Sequence, residues 1–144
     1  DPLLEKGRAG IAKSLGRLVE KGKLPASTRD EALGRLRFTT DLGALAGCDI
    51  VIEAVTEDLE LKNQLWKELD RLCPPSTIFA SNTSSLTIAA MAAATTRADR
   101  FVGLHFFNPV PLMALVEVVR TVTTSRPRPP VRRGSREGAG HRDR

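Results

Sequence analysis

From residue 49 onward the sequence predicts an α/β fold built on a mostly parallel sheet with flanking helices. Short apolar, β-branched runs at 49–55, 77–80, 100–105 and 115–119 alternate with helical stretches at 58–72 and 86–94. Strand–helix–strand order with crossovers of that length is what parallel pairing requires. The run Asp49 to Val55 is almost continuously apolar, the pattern of a strand buried on both faces.

Taken in order, residues 3–22 read as a helix, with Leu4, Ile11, Leu15, Leu18 and Val19 at helical spacing and Lys13, Arg17, Glu20 and Lys21 on the other face. Gly22 and Pro25 end it. Ser27 to Glu31 supplies hydroxyl and acidic residues for a second helix start, with Ala32, Leu33 and Leu36 as its apolar side. Phe38-Thr39-Thr40 is a short strand candidate. In the helix 58–72 the expected stripe is Leu61, Leu65, Trp66, Leu69 and Leu72, and Pro74-Pro75 stops it. The helix 86–94 is alanine-rich, and Ser84 or Ser85 is placed to cap it.

The formal net charge of +5 invites a nucleic-acid reading, but its distribution argues against one. Residues 1–124 hold 15 basic and 15 acidic side chains, whereas residues 125–144 hold seven arginines against Glu137 and Asp143. The excess therefore describes a tail and not a binding face. That Arg/Pro-rich tail has too little apolar surface to offset its ordering entropy, so disorder is expected over 125–144. No apolar run approaches the length of a membrane helix, and Asp1 to Glu5 has no signal-peptide character. Cys48 and Cys73 have no metal-ligand spacing and read as thiols in a reducing cytoplasm, with a disulfide the lesser alternative.

Ligands of parallel sheets bind beyond the carboxyl ends of the strands. Glu57, the run Ser81 to Ser85, and His105 to Asn108 follow three successive strands, so three polar clusters converge on one edge. His105 admits two readings: a core histidine bonded to backbone, or a general base. Glu117, inside an apolar strand, carries a carboxylate that is costly to bury unless paired. A carboxylate beside an imidazole fixes its tautomer and favours its protonation, as a base for an alcohol requires. The plain alternative for Glu57 is a solvated helix start, and for Lys62 an exposed side chain.

Three segments together carry a family resemblance: Asp49-Ile-Val-Ile-Glu-Ala-Val-Thr-Glu-Asp-Leu, Ile78-Phe-Ala-Ser-Asn-Thr-Ser-Ser-Leu and Arg100-Phe-Val-Gly-Leu-His-Phe-Phe-Asn-Pro-Val-Pro-Leu-Met. Residues 3 to 124 resemble the nucleotide-binding domain of the 3-hydroxyacyl-CoA dehydrogenases, including the 3-hydroxybutyryl-CoA dehydrogenases. The resemblance implies NAD as cofactor, an acyl-CoA as substrate, and oxidation of a 3-hydroxyacyl-CoA to the 3-ketoacyl-CoA in fatty acid or hydroxybutyrate metabolism. It implies that His105 is the catalytic base and Glu117 its carboxylate partner. Ser84 and Asn108 are implied around the reacting oxygen, and Glu57, Lys62 and Asn82 along the NAD site. The region Lys6 to Lys23 corresponds to a helical insert near the CoA moiety. Full-length relatives are implied to be homodimers.

The departures from the family pattern set further expectations. The family opens with a strand and a Gly-x-Gly-x-x-Gly turn that holds the pyrophosphate. No such motif occurs in these 144 residues. The expectation is a partial Rossmann-like domain at 1–124, missing the first βαβ unit and truncated at both ends, followed by the tail. A chain of this kind is expected to bind NAD weakly or not at all by itself. An inactive remnant or gene-model fragment of the family stands as the alternative. A basic-tailed module for nucleic acid or acidic partners is the competing reading from another class.

Overall fold

The computed structural model describes residues 1–110, 113 and 115–125. The tail expected to be disordered, apart from Ser125, and Pro111 of the Asn-Pro-Val-Pro turn lie outside the described residues. The chain divides into two compact units, residues 1–46 and 47–144.

The first unit contains helices α1 (Pro2–Glu20) and α2 (Ala26–Gly34) and a 3-10 turn, Leu42–Leu45. Asp1 caps α1 by accepting from the amides of Leu3 at 2.7 Å and Leu4 at 3.4 Å, with Pro2 in the first turn. At the other end Gly22 adopts φ 64°, and the amides of Gly22 and Lys23 return to the carbonyls of Val19 and Leu18, each at 2.9 Å. This left-handed stop is open to glycine at little cost. The predicted stripe is only half-buried, and Ile11 is exposed. Helix α2 departs from expectation. Pro25 is its N-cap, no side chain caps it, and Leu36 falls beyond its end. Phe38 to Thr40 form no strand. A strand exists only through a ladder partner, and among the described residues none pairs with this segment.

The second unit holds β1 (Ile50–Glu53), α3 (Leu59–Leu72), β2 (Ile78–Ser81), α4 (Ile88–Ala92), β3 (Phe101–Phe106) and β4 (Val116–Arg120). The sheet order is β1-β2-β3-β4, the first three parallel and β4 antiparallel to β3. Val51, Phe79 and Phe101 are register partners, as are Glu53, Ser81 and Gly103. These residues share one face of the sheet because side chains alternate along a strand.

That face carries the core. Trp66 of α3 lies 4.9 Å from Phe79 and 4.8 Å from Phe101, ring centroid to ring centroid, the second pair edge to face. Leu69, Met91 and Ile88 pack into the same buried region. The opposite face is less covered, since Ile50 and Ile52 are each nearly half exposed. The expectation that 49–55 is buried on both faces is not met among the described residues, where β1 is the outermost strand and one of its faces is buried. Helix α4 is also shorter than expected, with Thr87 as its N-cap and no side-chain cap. The predicted caps Ser84 and Ser85 sit in the preceding loop.

Helix α3 begins at Asp58, whose carboxylate accepts from the amides of Glu60 at 2.9 Å and Leu61 at 3.0 Å. Its inward residues are Lys62, Trp66 and Leu69, while Leu61 and Leu72 from the expected stripe are exposed. Its far end is held by Arg97. This buried guanidinium bonds Asp70 Oδ1 at 2.6 Å and the carbonyls of Asp70 at 2.9 Å and Cys73 at 3.0 Å. It also bonds the carbonyl of Pro74 and lies 4.5 Å over the Phe79 ring. The helix's orphan carbonyls thereby find donors. Burial pushes the Asp70 carboxyl upward, but the Thr96 amide and Arg97 outweigh it and leave it lowered. Burial likewise raises the Cys73 thiol, and neither cysteine is in a disulfide.

Removing one partner of a buried ion pair leaves the other uncompensated. Arg97→Ala should therefore destabilise the fold by about 3 kcal/mol. Arg97→Lys should recover little of this, because an ammonium cannot reproduce the planar fork of donors. Urea unfolding of the three proteins, followed by Trp66 fluorescence, measures both effects.

Candidate active site

Because β1, β2 and β3 run parallel, their carboxyl ends open on one edge, and the loops after them carry the polar clusters. At the end of β1, Glu53 points into the covered face and is 3% exposed. Its Oε1 accepts from Lys62 Nζ at 2.5 Å and from the Val55 amide at 2.6 Å, and its Oε2 from Ser81 Oγ at 2.6 Å. Lys62 is fully buried, which sets aside the plain alternative of an exposed side chain. Its ammonium also reaches the Val55 carbonyl at 3.2 Å and Glu57 Oε2 at 3.3 Å.

Glu57 ties the first loop to the second. Its Oε1 accepts from Thr83 Oγ1 and, at 3.0 Å, from Ser85 Oγ. Thr83 Oγ1 also accepts from the amides of Ser85 at 3.3 Å and Leu86 at 2.9 Å, which shapes the turn into α4. The Thr83 hydroxyl, with Ser85 and Lys62 behind it, holds the Glu57 carboxyl down to about 2 against the opposing effect of burial. Its side chain remains 39% exposed, so this ionised carboxylate keeps acceptor capacity toward a ligand's hydroxyl groups.

Asn82 follows β2. Its Oδ1 accepts from the Phe106 amide at 3.2 Å, and its own amide donates to the Glu53 carbonyl at 2.8 Å. It therefore extends the ladder from β2 to the longer β3, which carries His105 past the end of its neighbour.

His105 and Glu117 are direct cross-strand partners in the β3–β4 ladder. Nδ1 of the imidazole lies 3.5 Å from Glu117 Oε2, with side chains 30% and 58% exposed. Contrary to expectation the Glu117 carboxylate is not enclosed, because among the described residues β4 is the outermost strand and exposed along its length. The pair forms through register instead. The His105 ring also lies 4.8 Å from that of Phe107.

A cleft of about 250 Å³ joins the dyad to the second loop, lined on its polar side by Thr83, Ser84, Ser85, His105 and Glu117. Ile88, Gly103 and Val119 form its apolar side. A Cβ on Gly103 would meet Ile88 Cδ1 at 2.9 Å and Val119 Cβ at 3.0 Å, so glycine is what lets α4 seat against β3 there. Ser84 thus joins His105 and Glu117 in one cavity. Asn108 is exposed and lies outside that lining. Glu53 and Thr83 were not singled out from the sequence. A carboxylate within the apolar run 49–55 was the available signal for the first, and nothing distinguished the second from its hydroxyl neighbours.

A parallel sheet with helices on its covered face and an ionised carboxylate, hydroxyls and an imidazole at its carboxyl edge belongs to the Rossmann-like class of ligand-binding α/β domains. Comparison with known proteins narrows this. The family described as "3-hydroxyacyl-CoA dehydrogenase, NAD binding domain" matches residues 1–128, and the chain belongs to this family. NAD is the cofactor that the membership carries. A probable 3-hydroxybutyryl-CoA dehydrogenase of Deinococcus radiodurans is 52% identical over 122 residues, covering 85% of this chain and 44% of the relative. The mitochondrial hydroxyacyl-coenzyme A dehydrogenase of Rattus norvegicus is 47% identical over 131 residues, covering 87% and 42%. The crystal structure of (S)-3-hydroxybutyryl-CoA dehydrogenase from Ralstonia eutropha matches with a TM-score of 0.84 at 49% identity, over 87% of this chain and 44% of that one. The chain spans less than half the length of these relatives.

The Glu57 carboxyl sits below its ordinary value of 4.5, at about 2. Its bonds therefore contribute stability that is complete above about 4.5 and lost as pH falls toward 2. The stability difference between the wild-type chain and Glu57→Gln should be constant from neutral pH to about 5 and shrink steadily below it. Thermal unfolding across that range checks the sign.

Proposed function

We propose that this chain forms the NAD-binding and catalytic portion, residues 1–124, of an enzyme that oxidises 3-hydroxyacyl-CoA to 3-ketoacyl-CoA. The observation that carries this reading is the His105–Glu117 pair opening into the same cleft as Ser84. Glu117 faces Nδ1 and orients the ring, which leaves Nε2 to take the proton from the substrate's 3-hydroxyl. The imidazolium so formed is stabilised by the carboxylate 3.5 Å away. Ser84 donates to the same substrate oxygen as it becomes a carbonyl, and Asn108 approaches it from the loop after β3.

NAD, when bound, would accept the hydride that leaves C3 of the substrate as the 3-hydroxyl loses its proton to His105. The residues at the edge suit that cofactor: Glu57 offers a partly exposed, ionised carboxylate to ribose hydroxyls, and Asn82 stands beside it at the end of β2. Lys62 belongs to this side through Glu57, since its ammonium is enclosed by protein acceptors.

The acyl-CoA substrate, a place in fatty acid or hydroxybutyrate metabolism, and a cytoplasmic setting follow from this reading. Among the described residues no helix is long and apolar enough to cross a membrane, and nucleic acid has no part in the proposed chemistry.

The test is a chimera in which residues 47–125 replace the matching segment of the full-length Deinococcus radiodurans relative. It should oxidise 3-hydroxybutyryl-CoA with NAD, and His105→Gln should lower its turnover by about 10²- to 10⁴-fold, the usual contribution of a positioned general base. Glu117→Gln should lower it as well, with a combined effect less than additive in free energy. A folded His105→Gln chimera that turns over at the unmodified rate would refute the assignment.

A further inference from the structure

The buried carboxylate of Glu53 has no place in the chemistry above, yet at 3% exposed it is enclosed at the carboxyl edge, where Glu57 is 39% exposed. It receives an ammonium, a backbone amide and a hydroxyl, at 2.5, 2.6 and 2.6 Å, from three different segments. An ammonium has three protons to donate. Those of Lys62 have three acceptors within reach: Glu53 Oε1, the Val55 carbonyl and Glu57 Oε2. Lys62 is fully buried, so nothing but protein is available to compensate its charge. The two contacts with carboxylates are unequal, 2.5 Å to Glu53 and 3.3 Å to Glu57.

We propose that Glu53 is a positioning residue for the cofactor side of the site: it anchors the Lys62 ammonium inside the fold, and Lys62 in turn steadies the Glu57 carboxylate that Thr83 and Ser85 hold at the edge. Burying an ammonium is costly unless a carboxylate meets it at close range. Glu53 provides that partner from a strand end whose backbone is held in the ladder to β2. Glu57 lies in a loop and is partly exposed, so it cannot anchor Lys62 alone. The order of dependence therefore runs from Glu53 to Lys62 to Glu57, and only the last faces ligand.

The functional sense of this relay rests on the reading of Glu57 as a cofactor contact. The relay itself is tested without NAD, so either idea can fail alone. The probe is the carboxyl titration of Glu57 in the 144-residue chain, followed by carbon-detected NMR, with the Ser85 and Leu86 amide shifts as a second readout. Other charges facing Glu57 are the Lys62 ammonium and, through it, Glu53; Thr83 and Ser85 contribute neutral hydroxyls. In Glu53→Gln the ammonium loses its anchor and either leaves or deprotonates, and the Glu57 midpoint should rise by about one pH unit. A midpoint that stays or falls would show that Glu57 anchors Lys62 by itself, and the proposal would be wrong.

Should Glu53→Gln fail to fold, Lys62→Met and the double variant Lys62→Met/Glu53→Gln decide the matter. Both remove the buried ammonium, and the double variant removes the buried charge pair altogether, a change that folds often tolerate. If Glu53 acts through Lys62, the Glu57 midpoint and the Ser85 and Leu86 amide shifts should be the same in the two variants. A further displacement in the double variant would mean that Glu53 acts through the loop backbone, and would overturn the relay.

Discussion

A carboxylate buried at the end of β1 has to be neutralised where it stands, and this requirement sets the arrangement of everything near it. Glu53 cannot be moved outward, because its register partner Ser81 and the core residue Val51 share its face of the sheet. Its counterion comes from the first turn of α3. Once Lys62 must point inward, the rotation of the helix is decided: residues at helical spacing from it, Trp66 and Leu69, follow it into the core, and Leu61 turns to solvent. The ion pair itself adds little net stability compared with an apolar pair of the same shape. It belongs to a helix phase in which Lys62, Trp66 and Leu69 face inward and Leu61 and Leu72 face solvent.

The opposite end of the same helix is held by different chemistry. Arg97, from the connection between α4 and β3, gathers the last carbonyls of α3 and the Asp70 side chain while stacking on Phe79. Helix α3 is therefore pinned at both ends, with the Trp66, Phe79 and Phe101 cluster between. A site needs rigid supports more than it needs a rigid surface. Here the loops that carry Glu57 and Thr83 spring from strand and helix ends tied into the core, while the Glu57 side chain remains partly open to solvent.

The two carboxylates Glu57 and Glu117, both near the carboxyl edge, illustrate how position governs behaviour. Glu57 is held by hydroxyls and an ammonium and stays ionised far into acid. Glu117 stands on an exposed edge strand and meets His105 only because the antiparallel ladder sets them opposite each other. One is organised by hydrogen bonds, the other by strand register.

Local sequence determined much of this protein. The alternation of β-branched runs with amphipathic helices gave the order of elements, and the three motif segments placed the polar clusters at strand ends. Asp58 capped its helix and Gly22 supplied a left-handed stop, because caps and turns involve neighbours in the chain. His105 and Glu117 do stand side by side, 3.5 Å apart, but strand register and not burial brings them together. Burial does not compel the pair, and the same burial argument, had it been applied to Glu53, would have found the carboxylate that truly is enclosed. Only the tertiary structure decides between the two, since an apolar strand reads alike whether a helix covers it or it stands at an edge. The phase of α3, the burial of Lys62, the exposure of Ile50 and Ile52, and the bond from Thr83 to Glu57 were likewise beyond local pattern. Each depends on which surfaces meet across segments distant in sequence, and neither periodicity nor propensity records that meeting.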